Sequence, residues 1–407
     1  MIRMNKHLFA LFVCVWCLAA DLSAQLGTSS PYSMYGLGEI NDLTSGRLAG
    51  KGGSAIGMRS PGLLNHANPA SYTAFDTLSF VMDVSVAGKS SLFKAGDESE
   101  RMRSANIFKM AFGFRVTSRW AASLGIMPFS SVGYNLQAEQ DIEGLTSTNL
   151  VQYSGSGGLT RILWGNAFKL TPELSVGVNT SFIFGTITNA EQQRTWTIEK
   201  SLQTHKFYWD FGLQYTRMFN RRAIGVAGLV YGYRGKMTMN RNVEISSYSS
   251  DLFAEQLRNQ TLYLPSFIGV GASYARRNNL QLSFDYTFRK WSDLKAFGGA
   301  RFEDTHRINM GVSLIPGAQN PKSYFDRIEY QAGLSIGNAY LSFNNKNAMQ
   351  AVLSIGAGLP ISSSIVDIVY SYGIFGRTGY KQMQERFHKI TLGLTLKETW
   401  FYKFLYQ

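Results

Sequence analysis

Residues 280–289 read Leu-Gln-Leu-Ser-Phe-Asp-Tyr-Thr-Phe-Arg, with a large apolar side chain at every second position. In an extended strand, successive side chains point to opposite faces. One face then carries Leu280, Leu282, Phe284, Tyr286 and Phe288, and the other carries Gln281, Ser283, Asp285, Thr287 and Arg289. A strand of a transmembrane β-barrel needs this pattern, because one face meets lipid and the other meets the lumen. Arg facing lipid at mid-depth would cost roughly 2–4 kcal/mol, so the register is well defined.

The same alternation recurs along the chain. Residues 268–274 and 308–314 show it, and in residues 390–397 Ile390, Leu392, Leu394 and Leu396 alternate with small or polar residues. Such segments begin near residues 78, 106, 120, 150, 174, 204, 223, 262, 280, 304, 326, 348, 365 and 386. The sequence therefore predicts an all-β fold, a transmembrane antiparallel barrel of about fourteen strands formed by residues 77–407.

The connections between these segments predict the direction of the barrel. Links after even-numbered segments are short or turn-like, as at Ser118-Arg119 and 220–222, whereas 89–105, 139–149, 186–203 and 249–261 are longer and more polar. Outer-membrane barrels have short periplasmic turns and longer outer loops. This parity places both termini in the periplasm.

The composition agrees with a barrel. Charged residues make up 16% of the chain, and there are 40 Gly, 21 Tyr and 27 Phe. No segment after the N-terminal leader reaches 18 consecutive apolar residues, which excludes a spanning helix. A barrel is the remaining structure that crosses a bilayer with every backbone hydrogen bond satisfied. The predicted location is the cell outer membrane, in contact with its lipid and lipopolysaccharide.

The N-terminus reads as a signal peptide covering residues 1–24. Arg3 and Lys6 precede an apolar run from Leu8 to Ala20, and Ser23-Ala24 provides small residues before the cleavage point. An uncleaved membrane anchor is the alternative. Cys14 and Cys17 both lie in this segment, so no disulfide or thiolate metal site is expected in the exported chain.

Residues 25–76 are rich in Gly, Ser, Pro and Asn and show no sustained alternation. They precede the first predicted strand. The segment is interpreted as a periplasmic extension or as a hatch that folds back to fill the lumen, since a barrel of fourteen strands leaves an aqueous space unless something occupies it.

Several motifs resemble the FadL type of outer-membrane transport protein. They are Asn68-Pro69-Ala70, Leu264-Pro265-Ser266-Phe267 with Gly269 and Tyr274, Leu282 with Asp285-Tyr286 and Trp291, and His306-Arg307-Ile308 with Gly311. The stretch from Ser30 to Glu39 and the ending Ile390–Leu396 with Trp400-Phe401 are similar to FadL-type barrels of Bacteroidetes.

The resemblance implies a lumen plugged by a hatch, and lateral delivery of a hydrophobic ligand through a gap in the wall. It implies passive uptake of hydrophobic small molecules such as long-chain fatty acids or aromatic hydrocarbons. Some relatives are accessory subunits of outer-membrane secretion or assembly complexes, so a non-transporting subunit with other complex subunits as partners is the alternative. The resemblance does not extend to individual ligand-contacting residues of the family, so it leaves the ligand open. The hatch motif Asn68, Pro69 and Ala70 is expected to fix the chain where it leaves the lumen, although an ordinary turn explains it nearly as well.

Other chemistry finds little support in the sequence. The exported chain has four separated histidines, His66, His205, His306 and His388, and no Gly-x-Ser-x-Gly elbow. Gly50-Lys51-Gly52 lacks the first Gly and the Ser or Thr of a phosphate loop. Lys and Arg are dispersed, although the net charge is +13, so no nucleic-acid partner is expected. We predict neither an enzyme nor a cofactor.

Overall fold

The computed structural model describes residues 30–44, 46–141, 148–247, 250–276, 279–292, 301–343, 346–376 and 383–399. The predicted signal peptide, residues 25–29 and Trp400-Phe401 lie outside the described residues.

The described chain is almost entirely antiparallel sheet. Its strands are β1 (Glu39–Ile40), β2 (Ser79–Ala95), β3 (Glu98–Arg115), β4 (Trp120–Asp141), β5 (Thr148–Lys169), β6 (Leu174–Gln192), β7 (Trp196–Asn220), β8 (Ala223–Gly232), β9 (Gly235–Ser247), β10 (Ser250–Leu264), β11 (Ser266–Arg276), β12 (Leu280–Lys290), β13 (Arg301–Phe302), β14 (Thr305–Leu314), β15 (Glu329–Phe343), β16 (Lys346–Ile361), β17 (Ser364–Phe375) and β18 (Met383–Thr399).

Strands β2 to β18 form a closed barrel of fourteen strands, as the alternation predicted. Each pair β8 with β9, β10 with β11, and β13 with β14 is one barrel strand interrupted near its middle or end. The last strand closes the barrel on the first, from Ser79↔Thr399 to Ala95↔Met383. Both ends of the wall therefore lie at one end of the barrel, called the turn end below; the opposite end is the far end.

The two faces of the wall carry the residues that alternation assigned to them. Leu282 and Phe284 of β12 are 46% and 44% exposed on the outer face, whereas Asp285 of the same strand is 1% exposed and points inward. Ile390 is exposed and Thr391 is buried. An apolar belt thus surrounds the barrel, as a lipid-facing surface requires.

Most of the described residues that were predicted to form long outer loops are instead in strands. β2 and β3 continue through 89–105 and turn at Gly96-Asp97, and β6 and β7 are separated by residues 193–195 alone. Polar side chains on both faces end the lipid-facing alternation, but the backbone still pairs with its neighbours, so the strands extend beyond the apolar belt. The longest described connection is instead at the turn end, residues 315–328, with a 3₁₀ turn at Phe325–Arg327. The sidedness of the termini stays a prediction.

Among the described residues, helical structure is limited to short turns: 3₁₀ segments at Pro31–Met34, Pro69–Ala74 and Phe325–Arg327, and one α-helical turn, α1 (Arg47–Gly50). Within the described ranges, no helix has the length and apolarity needed to cross a bilayer.

The N-terminal segment, residues 30–78, occupies the lumen and is called the hatch below. Leu48, Leu64, Tyr72 and Phe75 are at most 1% exposed. Leu64, Tyr72 and Phe75 pack against inward-facing residues of β2 to β5, such as Val81. Burial of this apolar surface against the wall holds the part of the hatch from Arg47 to Leu78 in the turn-end half of the barrel.

Candidate functional site

Inward-facing polar side chains hold the hatch by its backbone. Asp285 on β12 accepts hydrogen bonds from the amides of Ala55 and Ile56, at 2.5 and 2.8 Å. Further contacts to hatch carbonyls come from Lys109, Asn179, Gln214, Ser273 and Asn309. Because an irregular buried segment has no ladder of its own, the wall supplies the partners that its backbone needs.

The predicted hatch motif is one of these contacts. Asn68 caps the 3₁₀ turn by accepting from the Ala70 amide, and its Nδ2 donates to the carbonyls of Ile56 (2.8 Å) and Leu213 on β7 (3.2 Å). Asn68 and Ala70 are 0% exposed. Pro69 lies against the inward faces of Gly177 and Gly212. The structure thus brings the three residues together at the wall, and Ala70 is 9 residues before Ser79, where β2 begins. The anchoring role of the three residues stays a prediction.

Buried ion pairs make a second set of contacts. Lys51 is 1% exposed, and its Nζ lies 2.7 Å from Glu329 Oε1 on β15 and 3.0 Å from Gln281 Oε1. Arg47 Nε lies 3.3 Å from Glu329 Oε2. Lys51, noted in the sequence only as part of a defective phosphate-loop pattern, is a structural ion-pair residue.

Glycines line the wall at many of its contacts with the hatch. A Cβ at Gly333 would overlap the Gly52 amide, one at Gly311 would lie 2.6 Å from Lys51 Cβ, and one at Gly271 would lie 2.8 Å from Ile56 Cβ. The same holds at Gly113, Gly165, Gly177, Gly212, Gly228 and Gly393. Part of the high Gly content therefore serves close approach of two backbones.

The barrel wall parts between β3 and β4. These strands pair over six residues, from Met110↔Ile126 to Arg115↔Ala121. Beyond that level, β3 continues to pair with β2 as far as Glu98, and β4 with β5 as far as Asp141. We call this separation the lateral gap. The FadL resemblance implied a gap of this kind, although no strand pattern located it.

A bend in β4 to β6 accompanies the gap. Pro128 stands at a register shift that leaves Phe129 as an extra residue opposite β5. At the same level Gly158 has φ +148° and Gly185 has φ +149°, conformations that other L-residues rarely adopt. Proline within a sheet is confined to edges and bulges, and a bulge bends its strand. These residues direct the far half of β4 away from β3.

The hatch covers the inner edge of the gap. Strand β1 pairs with β4 as Glu39↔Ser131 and Ile40↔Ser130. The Asn41 amide donates to the Phe129 carbonyl at 3.0 Å, and the Ser30 amide donates to the Gly133 carbonyl at 2.8 Å. Backbone groups of β4 that would otherwise lack partners are thereby satisfied.

A cavity of about 350 Å³ lies between the hatch and the far end, on the side of β2, β3 and β12 to β18. Its lining extends to the gap through Ile40 of the hatch and through Asn106 and Phe108 of β3. On the opposite side, the far half of the lumen is filled by an apolar cluster that includes Phe129, Leu159, Ile183 and Met237.

The cavity lining combines aromatic rings with cations. Lys389 Nζ lies 4.1 Å from the centre of the Phe108 ring, and Arg289 Cζ lies 5.0 Å from that of Phe267. Lys89 pairs with Glu39 and Glu385, and Arg307 pairs with Asp42. In the described part of the chain, no ion pair within 4.0 Å is found for Lys389 or Arg289. Asp42 acts electrostatically on both cations and Glu39 on Lys389, but neither carboxylate contacts them, so the site can receive a small molecule with an apolar body and an anionic group.

Alternation had placed Asp285, Thr287 and Arg289 inward, and all three line the cavity, whereas the cavity residues of the hatch were not predicted. Pro128 and the Gly157-Gly158 pair are the sequence signals that mark the bend, since both are unusual within a strand. Nothing local in the sequence pairs Lys51 with Glu329, because they are far apart along the chain.

Comparison with solved structures shows the fold. The CymD monoaromatic hydrocarbon channel is 14% identical with a TM-score of 0.55, over 91% of this chain and 99% of that one. The Ralstonia pickettii toluene transporter TbuX is 13% identical with a TM-score of 0.57, over 87% and 98%. The P. putida toluene transporter TodX is 12% identical with a TM-score of 0.59, over 89% and 100%. The chain has the fold of these outer-membrane channels.

The sequence comparisons give the family. No curated protein sequence is significantly similar to this chain. The family model described as BamG matches residues 3–407, almost the whole chain. The predicted likeness to the FadL type therefore holds for the fold, whereas the matching family model is a different one, and the more specific likeness to Bacteroidetes proteins stays a prediction. The chain belongs to the BamG family.

Proposed function

We propose that this barrel passes an amphipathic, anionic small molecule, of which a long-chain fatty acid is an example, between the lumen cavity and the membrane through the lateral gap. The observation that carries the proposal is the cavity that reaches the gap and holds Arg289 and Lys389 beside aromatic rings. The hydrocarbon channels of similar fold support passage of hydrophobic compounds. Neither an enzymatic step nor a cofactor is part of the proposal.

The cations favour an anionic ligand over a neutral hydrocarbon. A carboxylate that reaches Arg289 and Lys389 gains charge-assisted hydrogen bonds, which are about twice as strong as neutral ones. The alkyl chain would lie along Phe108 and Phe267, which line the same cavity. A neutral aromatic hydrocarbon would gain only the apolar contacts.

The test compares a charged and a neutral ligand on one pair of variants. Purified protein is titrated with a fluorescent long-chain fatty acid and with toluene, for the native chain and for Arg289→Gln/Lys389→Gln. We expect about a tenfold increase in the Kd of the fatty acid, because charge-assisted hydrogen bonds are lost, and no change for toluene. Lys236→Gln/Arg276→Gln, with both side chains exposed, is the matched control.

Uptake into liposomes that contain the native barrel completes the test. Equal affinity of native and variant proteins for the fatty acid would overturn the anionic ligand. No uptake of any ligand, and no binding, would overturn passage itself.

A second candidate function is a non-transporting subunit of an outer-membrane complex. The observation that favours it is the fixation of the hatch, which the wall holds by buried ion pairs and by hydrogen bonds from at least five strands. The match to the BamG model also favours it, since no curated protein sequence, and so no curated transport protein, is significantly similar to this chain. Gentle detergent extraction and affinity purification distinguish the two: a stoichiometric set of outer-membrane proteins supports the subunit, and a lone barrel supports the channel.

A further inference from the structure

The outer face of the barrel carries a group of basic side chains next to the lateral gap. They are Arg101 and Arg103 on β3, Lys94 on β2, and Arg386 and His388 on β18, and all five residues are exposed. We call them the basic patch. None of these residues takes part in the cavity or in the contacts of the hatch described above.

Strand register brings the members of the basic patch together. Arg103 is opposite Ser90, which is opposite His388, and Arg101 is opposite Leu92, which is opposite Arg386. Residues two strands apart are separated by about 10 Å, within the combined reach of two long side chains. His388 Nδ1 and the Tyr370 hydroxyl lie 2.7 Å apart on the same face, which orients the ring.

The neighbouring outward positions carry no negative charge. Ser90, Leu92, Ser99, Gln384 and Tyr372 are the residues between and beside the basic side chains in the strand register. The acidic strand residues of this region, Glu98, Glu100 and Glu385, are on the opposite set of alternating positions, and Asp97 lies in the turn between β2 and β3. Among the described residues, the outward-facing strand positions around the basic patch are therefore basic or uncharged.

The height of the basic patch matches a headgroup layer. From Leu396, near the turn end of β18, to His388 the strand advances eight residues. At about 3.4 Å per residue and a tilt of about 40°, this is roughly 20 Å along the barrel axis. The apolar belt of a membrane barrel is about 25 Å tall, so Arg386 and Arg101 lie at its far-end border. Ile390 and Ile107, 54% and 60% exposed, are the last large apolar residues below them.

We propose that the basic patch is a binding site for a phosphate-bearing lipid of the membrane layer at the far end, held next to the lateral gap. Arg pairs bind phosphate oxygens through parallel N–H donors, and neighbouring cations at a bilayer surface act together on an anionic headgroup. In the predicted orientation this layer is the outer leaflet, which makes a phosphorylated glycolipid the occupant. The proposal requires a barrel that crosses the membrane but not passage through the lumen.

The experiment measures lipid retained by the purified barrel. Native mass spectrometry quantifies binding of bisphosphorylated lipid A to the native chain and to Arg101→Gln/Arg103→Gln/Arg386→Gln. Arg221→Gln/Arg222→Gln, an exposed pair in a turn-end connection, is the matched control. A folded, heat-modifiable band on electrophoresis establishes that each variant forms the barrel.

We expect the triple variant to bind bisphosphorylated lipid A about tenfold more weakly, and the control pair to match the native chain. Lipid A without phosphates should bind all proteins equally weakly. Undiminished binding by the triple variant, or equal binding of the dephosphorylated lipid, would overturn the proposal. Complete displacement by inorganic phosphate would also contradict it, because the site would then recognise a free anion.

Discussion

The Asn68 side chain has no exposed surface and makes three hydrogen bonds. It accepts one from the Ala70 amide and donates two, to the carbonyls of Ile56 and Leu213. It therefore links two parts of the hatch to strand β7. Replacing it leaves buried backbone groups without partners, and each such group costs about 1–3 kcal/mol.

Asn68→Ala should consequently lower the unfolding midpoint of the barrel in urea, with a loss of about 1–3 kcal/mol in unfolding free energy. Asn220→Ala is the control, because Asn220 Oδ1 accepts one hydrogen bond from the Arg222 amide at an exposed turn. If Asn68→Ala unfolds at the midpoint of the control, the anchoring role is wrong.

The Lys51–Glu329 pair supports a second prediction about single residues. Glu329→Gln removes the partner of a cation that is 1% exposed, and breaking a buried pair from one side costs about 3–5 kcal/mol. The double variant Lys51→Met/Glu329→Met removes both charges of this pair and should recover part of the loss, while Arg47 keeps Asp367, whose Oδ1 lies 3.9 Å from its Nε, as its partner.

Equilibrium unfolding in urea is the measurement for the ion-pair variants. Asp76→Asn breaks the more exposed pair with Lys397 and should cost at most about 1 kcal/mol. A double variant as unstable as Glu329→Gln would contradict the assignment of the cost to an unpaired buried charge.

At the scale of structural elements, the hatch fits inside the wall because the wall has glycine at positions where the two backbones meet. Gly333→Ala should displace the hatch, since the added Cβ would overlap the Gly52 amide. Overpacking of this kind costs about 1–3 kcal/mol.

Limited proteolysis and hydrogen exchange of residues 46–58 would detect displacement of the hatch by Gly333→Ala. Gly88→Ala, with no atom within 4 Å of the added Cβ, is the control. Equal protection of the hatch in both variants would show that the close approach is dispensable.

The contact of β1 with β4 provides a reversible test of the gap. In Ile40→Cys/Ser130→Cys the two thiols occupy directly opposed positions, at a Cα separation of about 4.5–5.5 Å that permits a disulfide. If lateral passage needs β1 to leave β4, the oxidised protein should lose fatty-acid uptake and reduction should restore it.

Ser354→Cys/Ser371→Cys, a registered pair between β16 and β17, controls for cross-linking of the wall. The predicted exported chain contains no other cysteine. Full uptake by the oxidised Ile40/Ser130 variant would contradict movement of β1 at the gap.

At the scale of the whole molecule, the apolar outer belt determines where the barrel can reside. Phe284→Arg places a charge on the lipid face, where it costs roughly 2–4 kcal/mol at mid-depth. Ser104→Arg points into the lumen cavity and avoids lipid.

We expect Phe284→Arg to reduce the folded fraction in isolated outer membranes, as measured by heat modifiability, and Ser104→Arg to leave it near the native level. Equal folded fractions would be inconsistent with a lipid-facing Phe284.

The sequence alone determined the strands, their faces and their number. Leu282, Phe284 and Asp285 could be assigned to lipid or lumen because alternation is a local property with a period of two residues. The strand ends were harder to predict. Where 89–105 leaves the apolar belt, polar residues resemble a loop in sequence although the backbone remains paired.

The tertiary structure decided what the inward-facing residues do. Lys51 meets Glu329, and Asn68 meets Leu213, across long stretches of chain that no local pattern connects. The lateral gap depends on where Pro128 and Gly158 bend the wall and on the hatch strand that covers the exposed edge. Sequence periodicity tells which side of a strand a residue occupies, whereas the closure of the barrel around the hatch determines which residues become neighbours.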